Sequence, residues 1–231
     1  MHLGLGLYRH MLTPENLQFA RQAGCTHIVA HLVDYFRGGD HGAHDNQPTG
    51  ALGGWGLAGD PDVLWTVEQL VEMRQRVNDA GLELEAIENF DPAHWHDVLL
   101  DGPRKAVHYE NVKETVRRVG AAGIPIMGYN FSIAGVCGRT TGPFARGGAT
   151  SVGMDGPYDE PMPRGMAWNM VVDPHAAEGF VPPVDHETLW RRHGEFLDEG
   201  LPGAEEAGVA LAAHPDDPPM PTMRGQARLG F

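Results

Sequence analysis

Four times along the chain a helical stretch runs into Ala-Gly and then directly into a short apolar run. The junctions are QAG-CTHIVAH (22–31), DAG-LELEAIENF (79–90), AAG-IPIMGYNF (121–131) and EAG-VALAAHPDD (206–217). A glycine just past a helix takes the left-handed C-cap conformation without a Cβ clash, and Gly24, Gly81, Gly123 and Gly208 all stand at that position. The runs after these glycines are almost continuously apolar, as parallel strands covered on both faces should be. Helix starts are marked too. Thr13-Pro14 and Asp60-Pro61 each put a capping side chain before a proline at the first helical position. Leu64, Val67, Leu70, Val71 and Val77 then share one face of a second helix, and Val112, Val116 and Val119 one face of a third. Asp185 is placed to cap a fourth, with Leu189, Phe196 and Leu197 inward; Pro202 is expected to break it before a last turn to Gly208. With an opening strand at 2–8, the order β-α-β-α-β-α-β-α-β predicts right-handed crossovers and a parallel sheet.

The strand ends decide between an open sheet and a barrel. A dinucleotide-type open sheet carries a glycine-rich phosphate loop after its first strand, whereas Tyr8-Arg9-His10 stands there in this chain. Every later strand ends in polar, chemically capable residues: His31; Glu88 and Asn89; Asn130; then His214, Asp216 and Asp217. A (β/α)8 TIM-type barrel gathers such ends into one site. The expected architecture is therefore α/β, of TIM-barrel type, with about five βα units in a single domain over 1–231 that lacks roughly three further units at its C-terminus. Two inserts come after strand ends and are expected over the same face as lids or binding loops. Residues 36–59 are rich in Gly and His, and 134–183 carry Arg139, Arg146, Tyr158 and Trp168.

Composition narrows the partners. A chain of 231 residues, 42% hydrophobic, can bury one sizeable core. Its 17 Lys+Arg against 31 Asp+Glu, a formal charge of −14, argue against a nucleic-acid backbone, so an anionic ligand must be caught locally by an arginine or a metal. No apolar run approaches the roughly 20 residues of a membrane helix, and MHLGLGLYRH lacks the pattern of a secretory signal. Cys25 and Cys137 give no disulfide framework, and a cytoplasmic location is expected.

His214 is the leading metal-ligand candidate. It ends a strand, prolines at 215, 218 and 219 stiffen the next stretch of backbone, and a neutral imidazole suits Zn, Mn or Fe. The competing reading is a strand-end histidine satisfied by hydrogen bonds. His31, Glu88, Asn130, Arg139 and Asp216 are the candidate substrate-binding residues. Glu88 and Asn89 are adjacent, so only one is expected to face a barrel interior. Asn130 suits substrate hydroxyls, with a strand-end cap as its alternative. Arg139 suits a carboxylate, because guanidinium and carboxylate match bidentately. Asp216 and Asp217 are open between metal ligand, second-layer acceptor and turn residue. His41 and His44 have a ligand-like spacing without cysteine partners, and Cys137 has no evident partner base.

The motifs HIVAHLVDYF (27–36), YENVKETVRRVGAAGIPIMGYNFSIAGVCGRT (109–140) and above all ALAAHPDDPPMPTMRGQARLGF (210–231) resemble the mannonate dehydratase family. That resemblance implies a xylose-isomerase-like barrel and a hydro-lyase (EC 4.2.1.8) that converts D-mannonate to 2-dehydro-3-deoxy-D-gluconate in hexuronate (glucuronate) catabolism, with Mn²⁺ or Fe²⁺ as cofactor. It implies a metal-ligand role for His214. It also places the other ligands (a cysteine, a second histidine and an aspartate) and the acid/base residues on later strands, beyond Phe231. A homo-oligomer is expected of the full-length protein. The competing readings are a divalent-metal sugar isomerase or epimerase on the same barrel, and an inactive truncated chain.

Overall fold

A computed structural model describes residues 2–37, 55–136, 138–154 and 160–230. The elements run β1 (Gly4–Tyr8), α1 (Pro14–Gln22), β2 (His27–His31), α2 (Val67–Asp79), β3 (Glu83–Glu88), α3 (Pro92–Leu100), α4 (Lys105–Ala121) and β4 (Ile126–Tyr129). Two small hairpins come next: β5 (Arg139–Gly142) with β6 (Ser151–Met154), and β7 (Met166–Ala167) with β8 (Met170–Val171). Then come α5 (His186–Ala207), β9 (Ala210–Ala213) and a last hairpin of β10 (Thr222–Met223) and β11 (Gln226–Ala227).

The main sheet has the order β1-β2-β3-β4-β9, with every neighbouring pair parallel. Its spatial order tracks the chain without reversal. A doubly wound sheet reverses at a switch point, whereas a barrel adds each strand beside the last, so this is an arc of a (β/α)8 TIM-type barrel. Gly24, Gly81, Gly123 and Gly208 all hold positive φ at the helix ends, as the Ala-Gly junctions require. One face of the sheet packs on the helices: Ile28, Ile87 and Met127 are buried together with Leu70, Val77, Val116, Val119 and Leu189. At the β4 side, the Phe196 ring lies 4.9 Å from Tyr129, 5.5 Å from Phe131 and 5.7 Å from Trp95. The expectation of cover on both faces fails at the edges. Gly4 and Gly6 of β1 and Ala210, Ala212 and Ala213 of β9 are exposed, because the arc leaves its two outer strands without a neighbour.

Register carries the most consequence. His27 pairs with Glu83 and Ile28 with Leu84, but Val29 pairs with Ala86, so Glu85 is an extra residue in β3. Paired residues share a face, and a one-residue slip exchanges faces. The bulge thus sets Glu88, instead of Ile87, opposite His31.

Three helix expectations are corrected. The second helix begins at Thr66, which forms a capping box with Gln69. Asp60-Pro61 starts a turn instead, in which Asp60 Oδ1 accepts from the Asp62 N–H at 3.0 Å. Leu70 and Val77 of that helix are buried, while Val71 faces solvent. Asp91-Pro92 opens the additional helix α3, nearly all of which is buried, so no polar face announces it. Pro202 does not break α5. It costs the one hydrogen bond to the Asp198 carbonyl, and both residues are exposed, so water can take that acceptor. Cys25 is a buried free thiol; Cys137, Tyr158 and the His41/His44 pair lie outside the described residues. Among the described residues no helix is long and apolar enough to cross a membrane.

Candidate active site

The C-terminal ends of the sheet strands open onto a cavity of about 340 Å³. His31, Glu88, Asn130, Arg139 and His214 all line it, brought together from four strand ends and a hairpin. Glu88 sits at the centre. One carboxylate oxygen lies 3.2 Å from His31 Nε2 and the other 3.9 Å from His214 Nε2. Burial depresses the His31 pKa, partly offset by Glu88, with His214 pushing it further down, so His31 is neutral at neutral pH. His214 continues the β4 pairing by donating its N–H to the Tyr129 carbonyl at 2.8 Å. Its Nδ1 meets the Pro215 carbonyl at 2.5 Å. A carbonyl can only accept, so Nδ1 carries a proton, and Nε2 is the nitrogen turned toward Glu88.

Asn89 also lines the cavity, contrary to the expectation that only one of Glu88 and Asn89 would face inward. The reason is its backbone: Asn89 lies just past the end of β3 with φ of 66°, and this left-handed turn breaks the strand's alternation. Its side-chain Nδ2 donates to the Tyr35 hydroxyl at 3.2 Å.

The rest of the wall is aromatic, from Tyr8, Tyr35, Trp55 and Trp168. Tyr35 meets Trp55 edge-on at 4.6 Å and Tyr8 at 5.6 Å. Burial pushes the Tyr8 hydroxyl up to about 12, so it stays protonated. Trp168 and Asn169 both hold left-handed backbone. They are kept there by hydrogen bonds from Trp168 N to Ile133 O (2.6 Å), Asn169 Nδ2 to Val136 O (2.8 Å) and Arg224 Nη1 to Asn169 Oδ1 (2.5 Å). The Arg-Gly of the C-terminal motif thus works as a buttress beneath Trp168. These residues come from far-separated segments, and their aromatic or Arg-Gly character was the only signal in the sequence.

Arg139 closes one side. Its Nη2 is 2.6 Å from Asp217 Oδ2, and its guanidinium lies 5.3 Å from the Trp55 ring centre. Asp217, not Asp216, lines the cavity. Asp216 is buried beside Arg228, Oδ1 to Nη2 at 3.0 Å, and its Oδ2 accepts from the N–H groups of Leu229 (3.0 Å) and Gly230 (2.9 Å). The structure therefore assigns Asp216 to anchoring the C-terminal segment. The two carboxylates have different partners, Asp216 with Arg228 and Asp217 with Arg139, so only Asp217 is turned to the cavity. Arg146 is exposed and does not line it.

A second polar cluster lies away from this mouth. His96 and Asp97 on α3 and His108 on α4 bring possible ligand atoms within 4.8 Å of one another. Hydrogen bonding opposes metal binding as the rings stand. His108 Nδ1 accepts from the Asp97 N–H at 3.0 Å, so its lone pair is spent and the neutral ring keeps its proton on Nε2. Burial and the neighbouring His96 drop the His108 pKa from 6.5 to about 4. The unfolded chain then binds a proton below about 6.5 that the folded chain refuses until about 4. Stability should be full above that window and fall as pH drops through it. Urea midpoints measured between pH 7 and pH 4 should show this decline, and His108→Gln should flatten it; an unchanged slope would exclude His108 as its source.

His214 and Glu88 suit a divalent cation better. Two ligands each about 2.0–2.2 Å from one ion stand roughly 3–4 Å apart, and His214 Nε2 and the Glu88 carboxylate, at 3.9 Å, meet that spacing.

Comparison with known proteins places the chain in a family. A family model described as D-mannonate dehydratase (UxuA) matches residues 2–151 and 178–229. A mannonate dehydratase from Streptococcus pneumoniae is 33% identical over 166 residues, 67% of this chain and 45% of that protein. One from Thermotoga neapolitana is 31% identical over 179 residues, 68% of this chain and 48% of its own. The chain thus spans about half the length of the curated relatives it matches. The crystal structure of mannonate dehydratase from Streptococcus suis superposes with a TM-score of 0.66 at 28% identity, covering 100% of this chain and 56% of that one. With its strand-end cavity and these matches, the chain belongs to the D-mannonate dehydratase family.

Proposed function

We propose that this chain supplies one metal ligand and much of the substrate cradle of a hydro-lyase that removes water from D-mannonate to give 2-dehydro-3-deoxy-D-gluconate. Hexuronate breakdown in the cytoplasm is the proposed setting, and Mn²⁺ or Fe²⁺ the proposed ion. The observation that carries the reading is His214 Nε2 facing the Glu88 carboxylate at 3.9 Å inside the strand-end cavity.

The elimination takes the proton at C2, beside the substrate carboxylate, and expels the hydroxyl at C3. A proton next to an anionic carboxylate is only weakly acidic. His214, with Glu88 beside it, would hold a divalent ion whose charge offsets what builds up on that carboxylate. Arg139 would take the carboxylate's other side, exchanging Asp217 for substrate. Tyr8, held protonated, donates a hydrogen bond within the cavity, and His31 and Asn130 meet the hydroxylated part of the substrate. The aromatic wall keeps water away from the reacting carbons. The acid and base are not assigned to residues of this chain.

The full-length protein, supplied with Mn²⁺ and D-mannonate, should form a 2-keto-3-deoxy acid lighter than the substrate by one water. An isomerase or epimerase would return a product of unchanged mass. Absence of the keto acid with Mn²⁺, Fe²⁺ and Co²⁺ alike would refute the assignment.

A further inference from the structure

The cavity is lopsided in its hydrogen-bonding character. Arg139 is its cationic donor, and that guanidinium already meets Asp217. Much of the remaining polar surface accepts. Glu88 is a carboxylate at the centre of the cavity. Asn89 and Asn130, at neighbouring strand ends, are both more than nine-tenths buried, and the amide oxygen of each lacks a hydrogen-bond partner among the described residues. The other polar atoms of Asn89 are engaged, its N–H with the Gly128 carbonyl and its Nδ2 with the Tyr35 hydroxyl. The chain also tolerates a left-handed backbone at Asn89 where glycine would be easier. Buried acceptors left bare are costly and uncommon. A ligand carrying several hydroxyl donors satisfies both oxygens at once, whereas an acid without a polyol tail brings too few.

We propose that Asn89 and Asn130 are specificity residues that read the hydroxyl groups of the ligand, so that the cavity selects polyhydroxy acids over simple acids of the same length. This rests on the sugar-acid reading of the site and names the atoms that do the selecting. The carboxylate end belongs near Arg139 and His214, and the polyol over the two asparagines.

The test is calorimetric titration of D-mannonate, D-gluconate and 2-hydroxyhexanoate into the whole chain with Mn²⁺ present. Wild-type protein should prefer the two polyhydroxy acids. Asn130→Leu and Asn89→Gly, the latter compatible with positive φ, should each weaken them by about tenfold or more and leave 2-hydroxyhexanoate within about twofold. Asn130→Asp, which keeps an acceptor, should retain most of the preference. Equal weakening of all three acids would mean a merely structural role and overturn the inference. So would a wild-type protein that binds none of them, or binds all alike. A preference for D-gluconate over D-mannonate with the same dependence on the asparagines would uphold the inference while overturning the mannonate assignment.

Discussion

Asp216→Ala should cost about 3–5 kcal/mol of folding stability, because it leaves a buried guanidinium with no compensating charge. The Arg228 side chain is 0% exposed and that of Asp216 4% exposed, so water cannot replace the lost carboxylate. Two further hydrogen bonds go with it, from the Leu229 and Gly230 backbone N–H groups to Oδ2. Among the described residues the Arg228 side chain then keeps its hydrogen bond to the Asp217 carbonyl, at 3.2 Å. Asp216→Asn retains an acceptor for the two N–H groups and should fall between wild type and alanine. Urea denaturation monitored by circular dichroism reads the difference directly. A loss below about 1 kcal/mol would show that the segment is anchored by something else. A substrate-binding role for Asp216 predicts the opposite pattern, with weaker ligand affinity at unchanged stability.

His214→Ala should show that opposite pattern. The His214 side chain is 45% exposed, so its removal should change stability by no more than about 0.5 kcal/mol. Its Nδ1 proton is held by the Pro215 carbonyl, which fixes the ring with Nε2 inward. Loss of a partner that only orients a ligand already weakens metal binding about 10–100-fold, so loss of the ligand itself should cost about 100-fold or more. Titration of Mn²⁺ into the chain and its variant, with melting curves alongside, separates the two effects. Full retention of Mn²⁺ affinity would return His214 to the status of a hydrogen-bonded strand-end histidine.

Much of this molecule could be read from local signals. Ala-Gly at four helix ends, each leading into an apolar run, located β2, β3, β4 and β9, because the C-cap glycine and the buried strand are both short-range features. Polar residues at those strand ends gave six of the cavity's lining residues, since a parallel barrel brings like ends together whatever the details. Other features depend on partners distant in sequence. The aromatic wall joins Tyr8, Tyr35, Trp55 and Trp168, and no short window contains that assembly. Helix α3 hid because its polar residues His94 and Asp97 are buried with its apolar ones, which removes the contrast that periodicity needs. The choice between Asp216 and Asp217 turned on which way an extended segment faces, and composition is blind to that.

The extra residue in β3 has a reach beyond its own strand. It makes the chemistry of the mouth a question of odd or even count: let Glu85 take a place in the ladder opposite Val29, and regular pairing would bring an isoleucine opposite His31 while the carboxylate swung toward the greasy side. A single-codon insertion between Ala86 and Ile87, usually a mild lesion in a loop, would here swap an acid for a hydrocarbon at the centre of the site without altering any of the residues that touch it.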